Sequence, residues 1–395
     1  MSRRTRLFAV FASTPLVVLV MVGGLLGTAR TATGQQGVEH LKVFYDVLRL
    51  TIGAYVEPPD MEKVMDGAMR GLADGLDPMT SYLPPAEVVA LESGAAAPQG
   101  ALGLTVAKRF WLMIVGVRDG SPAARAGLRT GDFIRAINDI PTRDMSTHTG
   151  TTLLAGAPGS SATLLVFRAN AAEPHTVKLT REAPGTDRAS GKRLPGGESY
   201  VRISSFGAGV IDQLRASLSA AGATGTTGVI IDIRGTADGS PEEGIAAARL
   251  FVKSGTLATR AVRQSAPVVT TAAAGDGALT MPVVLMVSNG TANAAEVFAA
   301  ALIDNKRATV VGEPTAGLAS AQSLVTLPEG HGILLTTARY VRSDNTPIHT
   351  RGLRPEILVE TPLVPFEDTP APRQPQTLPA VGDDPVLSKA VEILP

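Results

Sequence analysis

The sequence predicts an α/β multidomain protein, because its hydrophobic patterning changes twice along the chain. From about residue 199 to 358, continuous apolar strands alternate with helices, which is typical of a largely parallel sheet covered on both faces. From about residue 100 to 184, short strands alternate with turns. Before residue 100, apolar residues recur at spacings of three and four, which indicates helices.

Composition excludes several classes of function. The 395 residues include 36 Lys+Arg and 36 Asp+Glu, so the basic footprint of a nucleic-acid binder is missing and no nucleic-acid partner is expected. The chain has no cysteine, which excludes disulfides, thiolate catalysis and cysteine-ligated metals. Its five histidines are scattered, with no helical ligand pair. We therefore expect neither a metal nor a cofactor.

The amino terminus has the pattern of a targeting segment. Arg3, Arg4 and Arg6 precede an uncharged run over residues 7–29 that is long enough to span a bilayer as a helix. Residues 1–34 are therefore predicted to be a signal peptide or a membrane anchor, and both readings stay open. The basic flank should stay cytoplasmic. We expect an exported, periplasmic or extracytoplasmic protein, anchored to the inner membrane if the segment is retained.

The remaining elements follow in order. A helical region is predicted over 35–97, interrupted at 58–60 where Asp60 can cap a second helix. Region 98–186 should contain a strand at 114–117, a short helix at 121–128 closed by a glycine, and a hairpin of 163–168 with 175–179. Region 190–364 should contain strands at 228–233 and 282–287, then a helix from about 292 to 304. Residues 365–395 are predicted to be a Pro-rich linker and a short C-terminal helix.

Several short patterns occur in a fixed order along this frame. They are Gly75-Leu76-Asp77-Pro78-Met79-Thr80-Ser81-Tyr82-Leu83, the loop Gly100-Ala101-Leu102-Gly103-Leu104, Gly312-Glu313-Pro314-Thr315 and Thr336-Thr337-Ala338-Arg339-Tyr340. In this order the chain resembles the C-terminal processing peptidases, also called tail-specific proteases. The resemblance implies a PDZ domain over 98–186 and a peptidase-like α/β core over 190–364. It also implies that Ala101, Leu102, Gly103 and Leu104 bind peptide C-termini.

The resemblance fails at the catalytic positions. The family places a serine nucleophile in a Gly-[Ser/Thr]-Ala-Ser-x-x-Glu turn and a lysine base in Gly-Glu-x-Thr-x-Gly-Lys, with a glutamine four residues on. Here the serine position is Asn293 and the lysine position is Leu318, while Gln322 is retained. A carboxamide is not an acyl-transfer nucleophile, and leucine cannot take a proton. Asn293 is interpreted as an N-cap of the helix that follows.

The turn that helps to form the family's oxyanion hole is also altered: here it is Asp232-Ile233-Arg234-Gly235-Thr236-Ala237-Asp238-Gly239. The resemblance gives Asp238, Gly239 and Ala294 as its oxyanion-turn positions. We therefore expect an exported, proteolytically inactive homologue that binds peptide or protein C-termini. A first alternative is an active serine endopeptidase with a relocated nucleophile among Ser288, Thr291, Ser320 and Ser323. A second alternative is an oligomeric scaffold or a regulator of an active peptidase. Expected partners are peptide C-termini, a homo-oligomer or an active peptidase, and the membrane through residues 7–29.

Overall fold

The computed structural model describes residues 39–93, 99–168, 173–222, 228–361 and 381–394. The predicted targeting segment, including residues 7–29, lies outside these ranges. Within the described ranges, no helix combines the length and the apolar character needed to cross a bilayer. The chain divides into two compact units, Met1–Asp66 and Gly67–Pro395. The described part of the first unit contains a helix over 39–54, called α1, and the start of the next helix.

A short helical region precedes the β-rich domain. Its elements are α2 (Met61–Asp74), β1 (Ser81–Leu83) and α3 (Pro85–Glu92). Asp77 organises the turn between α2 and β1, because its carboxylate accepts hydrogen bonds from the Met79 N–H at 2.8 Å and the Thr80 N–H at 2.9 Å. Asp60 accepts a hydrogen bond from the Lys63 N–H at 3.2 Å, as expected of a residue that caps α2.

The PDZ-like domain is a five-stranded antiparallel sheet in the order β2-β3-β4-β6-β7, with a short β5 beside β4. Its elements are β2 (Leu104–Lys108), β3 (Leu112–Val117), α4 (Pro122–Arg125), β4 (Phe133–Ile137), β5 (Ile140–Pro141), α5 (Thr147–Leu154), β6 (Ser161–Phe167) and β7 (His175–Thr180). The predicted hairpin of β6 with β7 is present, and Gly127 follows α4 with φ 77°. One apolar cluster, which includes Val106, Ile114 and Leu154, fills this domain.

The core contains the predicted parallel sheet, in the order β17-β14-β13-β10-β9-β8. The elements of the core are β8 (Ala189–Arg193), β9 (Ser199–Ile203), α6 (Val210–Ala220), β10 (Val229–Asp232), α7 (Pro241–Ala248), β11 (Thr256–Val262), β12 (Val268–Thr271), β13 (Val283–Val287), α8 (Ala294–Asp304), β14 (Thr309–Gly312), β15 (Ser320–Thr326), β16 (Gly332–Val341), β17 (Ile357–Leu358) and α9 (Pro385–Ile393). One face of the sheet packs on α6, α7 and α8, and the other packs on α9. The mixed α/β fold class is therefore confirmed.

A second sheet was not predicted. Strands β1, β16, β11 and β12 form an antiparallel sheet in that order, with β15 paired to β16. These strands mix polar and apolar residues, and β1 pairs with β16 through Ser81 opposite Leu334. Such a pairing joins segments far apart in the chain, so local patterning does not reveal it.

Candidate active site

The turn from β13 into α8 carries Asn293 in a strained backbone conformation. Asn293 has φ 50° and ψ −112°, a sparsely populated region for a residue with a Cβ, which costs on the order of 1–3 kcal/mol. The turn is held in place because the Thr291 hydroxyl donates to the Ile233 carbonyl at 2.9 Å, and the Ala292 N–H donates to the Thr236 carbonyl at 3.0 Å. A sharp strand-to-helix turn of this kind exposes a nucleophile in hydrolases. Here the turn carries a carboxamide.

Asn293 occupies the N-cap position of α8, but its side chain does not cap the helix. Among the residues that the structure describes, it makes no side-chain capping bond, and its buried Oδ1 atom has no hydrogen-bond partner. The physical reason is the backbone, because a capping residue ordinarily has extended φ and ψ angles. Asn293 therefore occupies the predicted N-cap position, but the capping hydrogen bond expected from its side chain is not formed with the described residues.

Glu296 joins the Asn293 turn to the loop that carries Leu318. Its fully buried carboxylate accepts hydrogen bonds from the Asn293 N–H at 3.0 Å, the Leu318 N–H at 2.8 Å, the Gly317 N–H at 2.6 Å and the Thr315 hydroxyl at 2.5 Å. Burial raises the pKa of Glu296, and the four donated hydrogen bonds oppose that rise. One carboxylate thus fixes the backbone of both former dyad positions.

Leu318 lies in an apolar cluster between the core and the PDZ-like domain. Its side chain is 6 % exposed and packs with Ala237 and Ala292 of the core and with Ala107 and Val115 of the PDZ-like sheet. The two parts approach closely at this point, because a Cβ built on Gly116 would lie 2.6 Å from the Ala237 Cβ. The position of the family's lysine is therefore dry, apolar and filled.

The oxyanion turn is tied to the PDZ-like domain by charge. Asp238 pairs with Arg118, which precedes α4, and also accepts a hydrogen bond from the Ser205 hydroxyl at 3.0 Å. The Asp238 carbonyl accepts a hydrogen bond from the Phe206 N–H at 2.9 Å. Gly239 crosses Phe206 so closely that an added Cβ would lie 2.2 Å from its backbone.

The predicted site residues do not all gather at one point. The structure brings Asn293, Ala294, Leu318 and the oxyanion turn together around the apolar cluster. Gln322 instead points its amide nitrogen at the Ser320 hydroxyl, 2.9 Å away, and at the Thr336 hydroxyl, 3.1 Å away.

The four candidate replacement hydroxyls are engaged in structural hydrogen bonds. The Ser288 hydroxyl accepts from the Gly235 N–H at 3.1 Å, and Thr291 bonds Ile233 as described above. The Ser320 hydroxyl donates to the Leu318 carbonyl at 3.3 Å, and Ser323 shares a 2.9 Å hydrogen bond with Thr337.

The sequence reasoning missed a histidine near this site. His349 is buried, with Nε2 3.8 Å from the Asp77 Oδ2 atom and a buried Nδ1 that has no partner in the described part of the chain. Its neighbour Thr350 donates from its N–H to the Gly317 carbonyl at 2.7 Å, which places His349 next to the Leu318 loop. Burial opposes ionisation of Asp77, but the nearby His349 and the hydrogen bonds donated by Met79 and Thr80 outweigh it and lower the pKa of Asp77. Nothing in the local sequence connects residues so far apart.

A buried charge network lies at the end of β10. Asp232 accepts hydrogen bonds from Arg234, at 2.7 Å, and from the Tyr200 hydroxyl, also at 2.7 Å. Burial opposes its ionisation, yet Arg234 and Arg202 outweigh burial and lower the pKa of Asp232 to about 2. Arg234 also pairs with Asp384, the N-cap of α9, at 2.8 Å. The network fastens the C-terminal helix to the core.

One residue of the predicted peptide-binding loop has its backbone groups bonded elsewhere in the domain. Ala101 exchanges backbone hydrogen bonds with Glu182 at 2.9 and 3.1 Å, so its N–H and carbonyl are already used. Leu102 and Gly103 differ, because neither N–H donates a hydrogen bond within the described part of the chain. Trp111 lies in the β2–β3 turn beneath Arg135. That turn is at the opposite end of β2 from the loop.

Comparison with known proteins agrees with this architecture. Residues 198–359 match the family model of peptidase family S41, and residues 113–168 match a PDZ domain model. The chain is 31% identical over 307 residues to the carboxyl-terminal-processing protease of Picosynechococcus sp., covering 75% of this chain and 73% of the relative. It is 29% identical over 398 residues to the protein of the same name from Synechocystis sp., covering 94% and 92%.

Comparison with a solved structure supports the same architecture. The photosystem II D1 C-terminal processing protease superposes with a TM-score of 0.66 at 27% identity, covering 82% of this chain and 88% of that protein. The resemblance to C-terminal processing peptidases is thereby confirmed, together with its PDZ domain and peptidase core. The chain belongs to the carboxyl-terminal-processing protease family, within peptidase family S41.

Proposed function

We propose that this protein is a proteolytically inactive member of its family that binds the C-termini of peptides or proteins through its PDZ domain. The main observation in support is that the strained turn carries Asn293 at the nucleophile position. At the base position, Leu318 is packed into a buried apolar cluster. Acyl transfer by a serine needs a nucleophile and a group that takes its proton. Neither position offers one.

Two further features support the loss of hydrolysis. The buried apolar cluster of Ala107, Val115, Ala237 and Leu318 surrounds the base position with groups that cannot accept a proton. The four nearby hydroxyls bond to backbone groups, to Gln322 or to Thr337 rather than to a base. Removing the nucleophile or the base from a hydrolase that relies on both typically costs several orders of magnitude in turnover.

Binding is supported by the carboxylate loop. The N–H groups of Leu102 and Gly103 have no partner in the described residues, and Gly103 has φ 79°. Successive backbone N–H groups that point into a concavity attract an anion. A free peptide carboxylate is the anion that a PDZ loop holds.

The decisive experiment compares three full-length forms: the wild-type protein, Asn293→Ser/Leu318→Lys, and the control Asn293→Ser/Leu318→Met. Each is incubated with an unstructured protein that ends in apolar residues, and cleavage is followed by mass spectrometry. We expect no cleavage by the wild type or the control. Cleavage is expected only from the form with both a hydroxyl and an amine, because burial of the introduced lysine amine favours its neutral state.

Turnover by the wild-type protein would overturn the proposal. Its nucleophile would then be sought by labelling with a serine-reactive phosphonate and by substituting Ser288, Thr291, Ser320 and Ser323 in turn. The His349–Asp77 pair makes Ser320 the first of these to test, since its loop adjoins His349. If no form cleaves, the altered oxyanion turn accounts for the result, and adding Asp238→Gly to the double variant tests that explanation.

Export, anchoring through residues 7–29 and association with an active peptidase or with further copies of this chain remain proposals that rest on the sequence. Extraction of the protein from washed membranes, by detergent but not by salt, tests the anchor. Co-purification of a stoichiometric peptidase would favour the regulator alternative.

A further inference from the structure

The turn between β2 and β3 carries two aromatic side chains at the surface of the PDZ domain. The last residue pair of this hairpin is Lys108 with Leu112. Its tip is therefore Arg109, Phe110 and Trp111, and the Arg109 N–H closes the turn by donating to the Trp111 carbonyl at 3.0 Å. The Phe110 side chain is 53 % exposed, although phenylalanine is among the residues most often buried. The end of a hairpin offers a convex surface, whereas small ligands bind in concave sites.

Arginines lie over both aromatic rings. The guanidinium carbon of Arg143 is 4.8 Å from the Phe110 ring centroid, and that of Arg135 is 4.9 Å from the Trp111 ring centroid. The two rings also meet edge to face, with their centroids 4.9 Å apart. Both arginines and Arg109 are exposed, and none of the three forms an ion pair with a residue that the structure describes. The tip thus combines two aromatic rings with three unpaired positive charges.

A buried lysine fixes the neighbouring segment 142–145, which carries Arg143. The Lys108 ammonium donates to three backbone carbonyls of this segment, two of them at 2.8 and 2.9 Å. Burial lowers the pKa of Lys108, and the nearby carboxylates of Asp74 and Asp144 oppose that shift. A cation of the fold itself therefore opposes these two carboxylates, which leaves the positive charge of the exposed arginines in excess at the tip.

We infer that the β2–β3 tip rests on the surface of an anionic lipid bilayer. Aromatic rings favour the boundary between headgroups and acyl chains, and each arginine at an anionic surface strengthens binding by about fivefold. Ile140, 49 % exposed on β5, adds an apolar side chain beside β4, the strand that carries Arg135. The proposed anchor at residues 7–29 would raise the effective concentration of the tip at such a surface. The tip and the carboxylate loop are at opposite ends of β2, so this contact does not compete with the binding of C-termini.

Trp111 is the sole tryptophan in the sequence, so its fluorescence reports on the tip without background. The full chain is reconstituted into vesicles of phosphatidylcholine and phosphatidylglycerol in equal amounts, with and without bromine atoms on the acyl chains. Brominated lipid should quench about half or more of the Trp111 emission, because an interfacial side chain lies about 5–10 Å into the headgroup and acyl boundary. Bromine quenches only at short range, so an anchor elsewhere in the chain does not produce this signal.

Charge and ring are then removed separately, with Trp111 kept as the reporter. Phe110→Ser removes the exposed ring, and Arg143→Glu reverses one charge; each should lower the quenched fraction by about twofold or more. The same loss is expected in vesicles of phosphatidylcholine alone, and in about 1 M salt, which screens charges beyond about 3 Å. The matched control is Arg263→Glu, the same reversal at an exposed position between β11 and β12, which should quench like the wild type. Circular dichroism checks that each form is folded.

The outcomes decide the inference independently of proteolysis and of C-terminus binding. Unquenched wild-type Trp111 in anionic vesicles would overturn it, and so would equal quenching in Arg143→Glu and Arg263→Glu. Shielding of Trp111 from aqueous acrylamide by an added peptide, without quenching by lipid bromines, would assign the tip to a protein partner and would also overturn it. Quenching that requires anionic lipid, Phe110 and Arg143 supports it.

Discussion

Replacing Glu296 by glutamine changes the hydrogen bonding of both former dyad positions in one step. The carboxylate faces only donors: the N–H groups of Asn293, Gly317 and Leu318 and the hydroxyl of Thr315. A glutamine amide has one acceptor oxygen, and its NH₂ group would face donors. At least one and at most two backbone N–H groups then lose their acceptor inside the protein.

The magnitude follows from that count. Each buried, unsatisfied N–H costs about 1–3 kcal/mol, so Glu296→Gln should lower the free energy of unfolding by about 1–6 kcal/mol. The matched control is Glu242→Gln, the same substitution at an exposed position in the first turn of α7, which should stay within about 0.5 kcal/mol of the wild type. Denaturant titration followed by circular dichroism measures both changes.

A local readout sharpens the test. Amide hydrogen exchange in Glu296→Gln should rise at the Asn293 turn and at the loop of Gly317 and Leu318, because one carboxylate holds both segments. If Glu296→Gln unfolds at the same denaturant concentration as Glu242→Gln, and exchange at the two segments is unchanged, the carboxylate is not the link between them.

Three other expectations follow. Asn293→Gly should raise stability by about 1 kcal/mol, because glycine adopts φ 50° freely and the unpartnered Oδ1 is removed, whereas Asn345→Gly at φ 64° on the surface should gain less, as seen by thermal denaturation. A double-mutant cycle on Arg118→Ala and Asp238→Ala should give a coupling free energy of about 0.5–1 kcal/mol that salt reduces, since the pair is partly exposed. A coupling free energy of zero would show that this ion pair does not help to hold the PDZ domain against the core. The pKa of Asp232 is lowered to about 2, so its share of stability is present above the unfolded pKa near 3.8 and is lost as the pH falls through 2; Asp232→Asn should flatten acid unfolding in that window, and an unchanged acid profile would refute the assignment.

Some elements of the fold could be predicted from the sequence and others could not, and the difference has a physical cause. Strands β10 and β13 were predictable because both faces of a parallel sheet are buried, so their residues form continuous apolar runs. The Asn293 turn was predictable because glycine, small residues and Glu296 occur at fixed spacing within a few residues. Local information was sufficient in both cases.

Tertiary contacts between segments far apart in the chain could not be predicted from local sequence patterns. Asp77 meets His349, and Arg118 meets Asp238, only because the second sheet and the PDZ domain fold back on the core. The use of the Ala101 backbone by Glu182 belongs to the same class. No spacing along the chain encodes such a meeting, and the residue types alone fit many other partners.

The strained backbone at Asn293 is held by contacts that do not depend on the identity of its side chain. Strain of about 1–3 kcal/mol survives only where surrounding contacts fix the backbone. Here those contacts are the Thr291 hydroxyl on Ile233 and the Glu296 carboxylate on the Asn293 N–H, and neither requires a serine at the turn. The geometry is therefore maintained by contacts that do not involve the side chain of residue 293. For this reason a hydroxyl placed at residue 293 would enter a turn already built to present it, and the missing proton acceptor at residue 318, rather than the shape of the site, would set the limit on turnover.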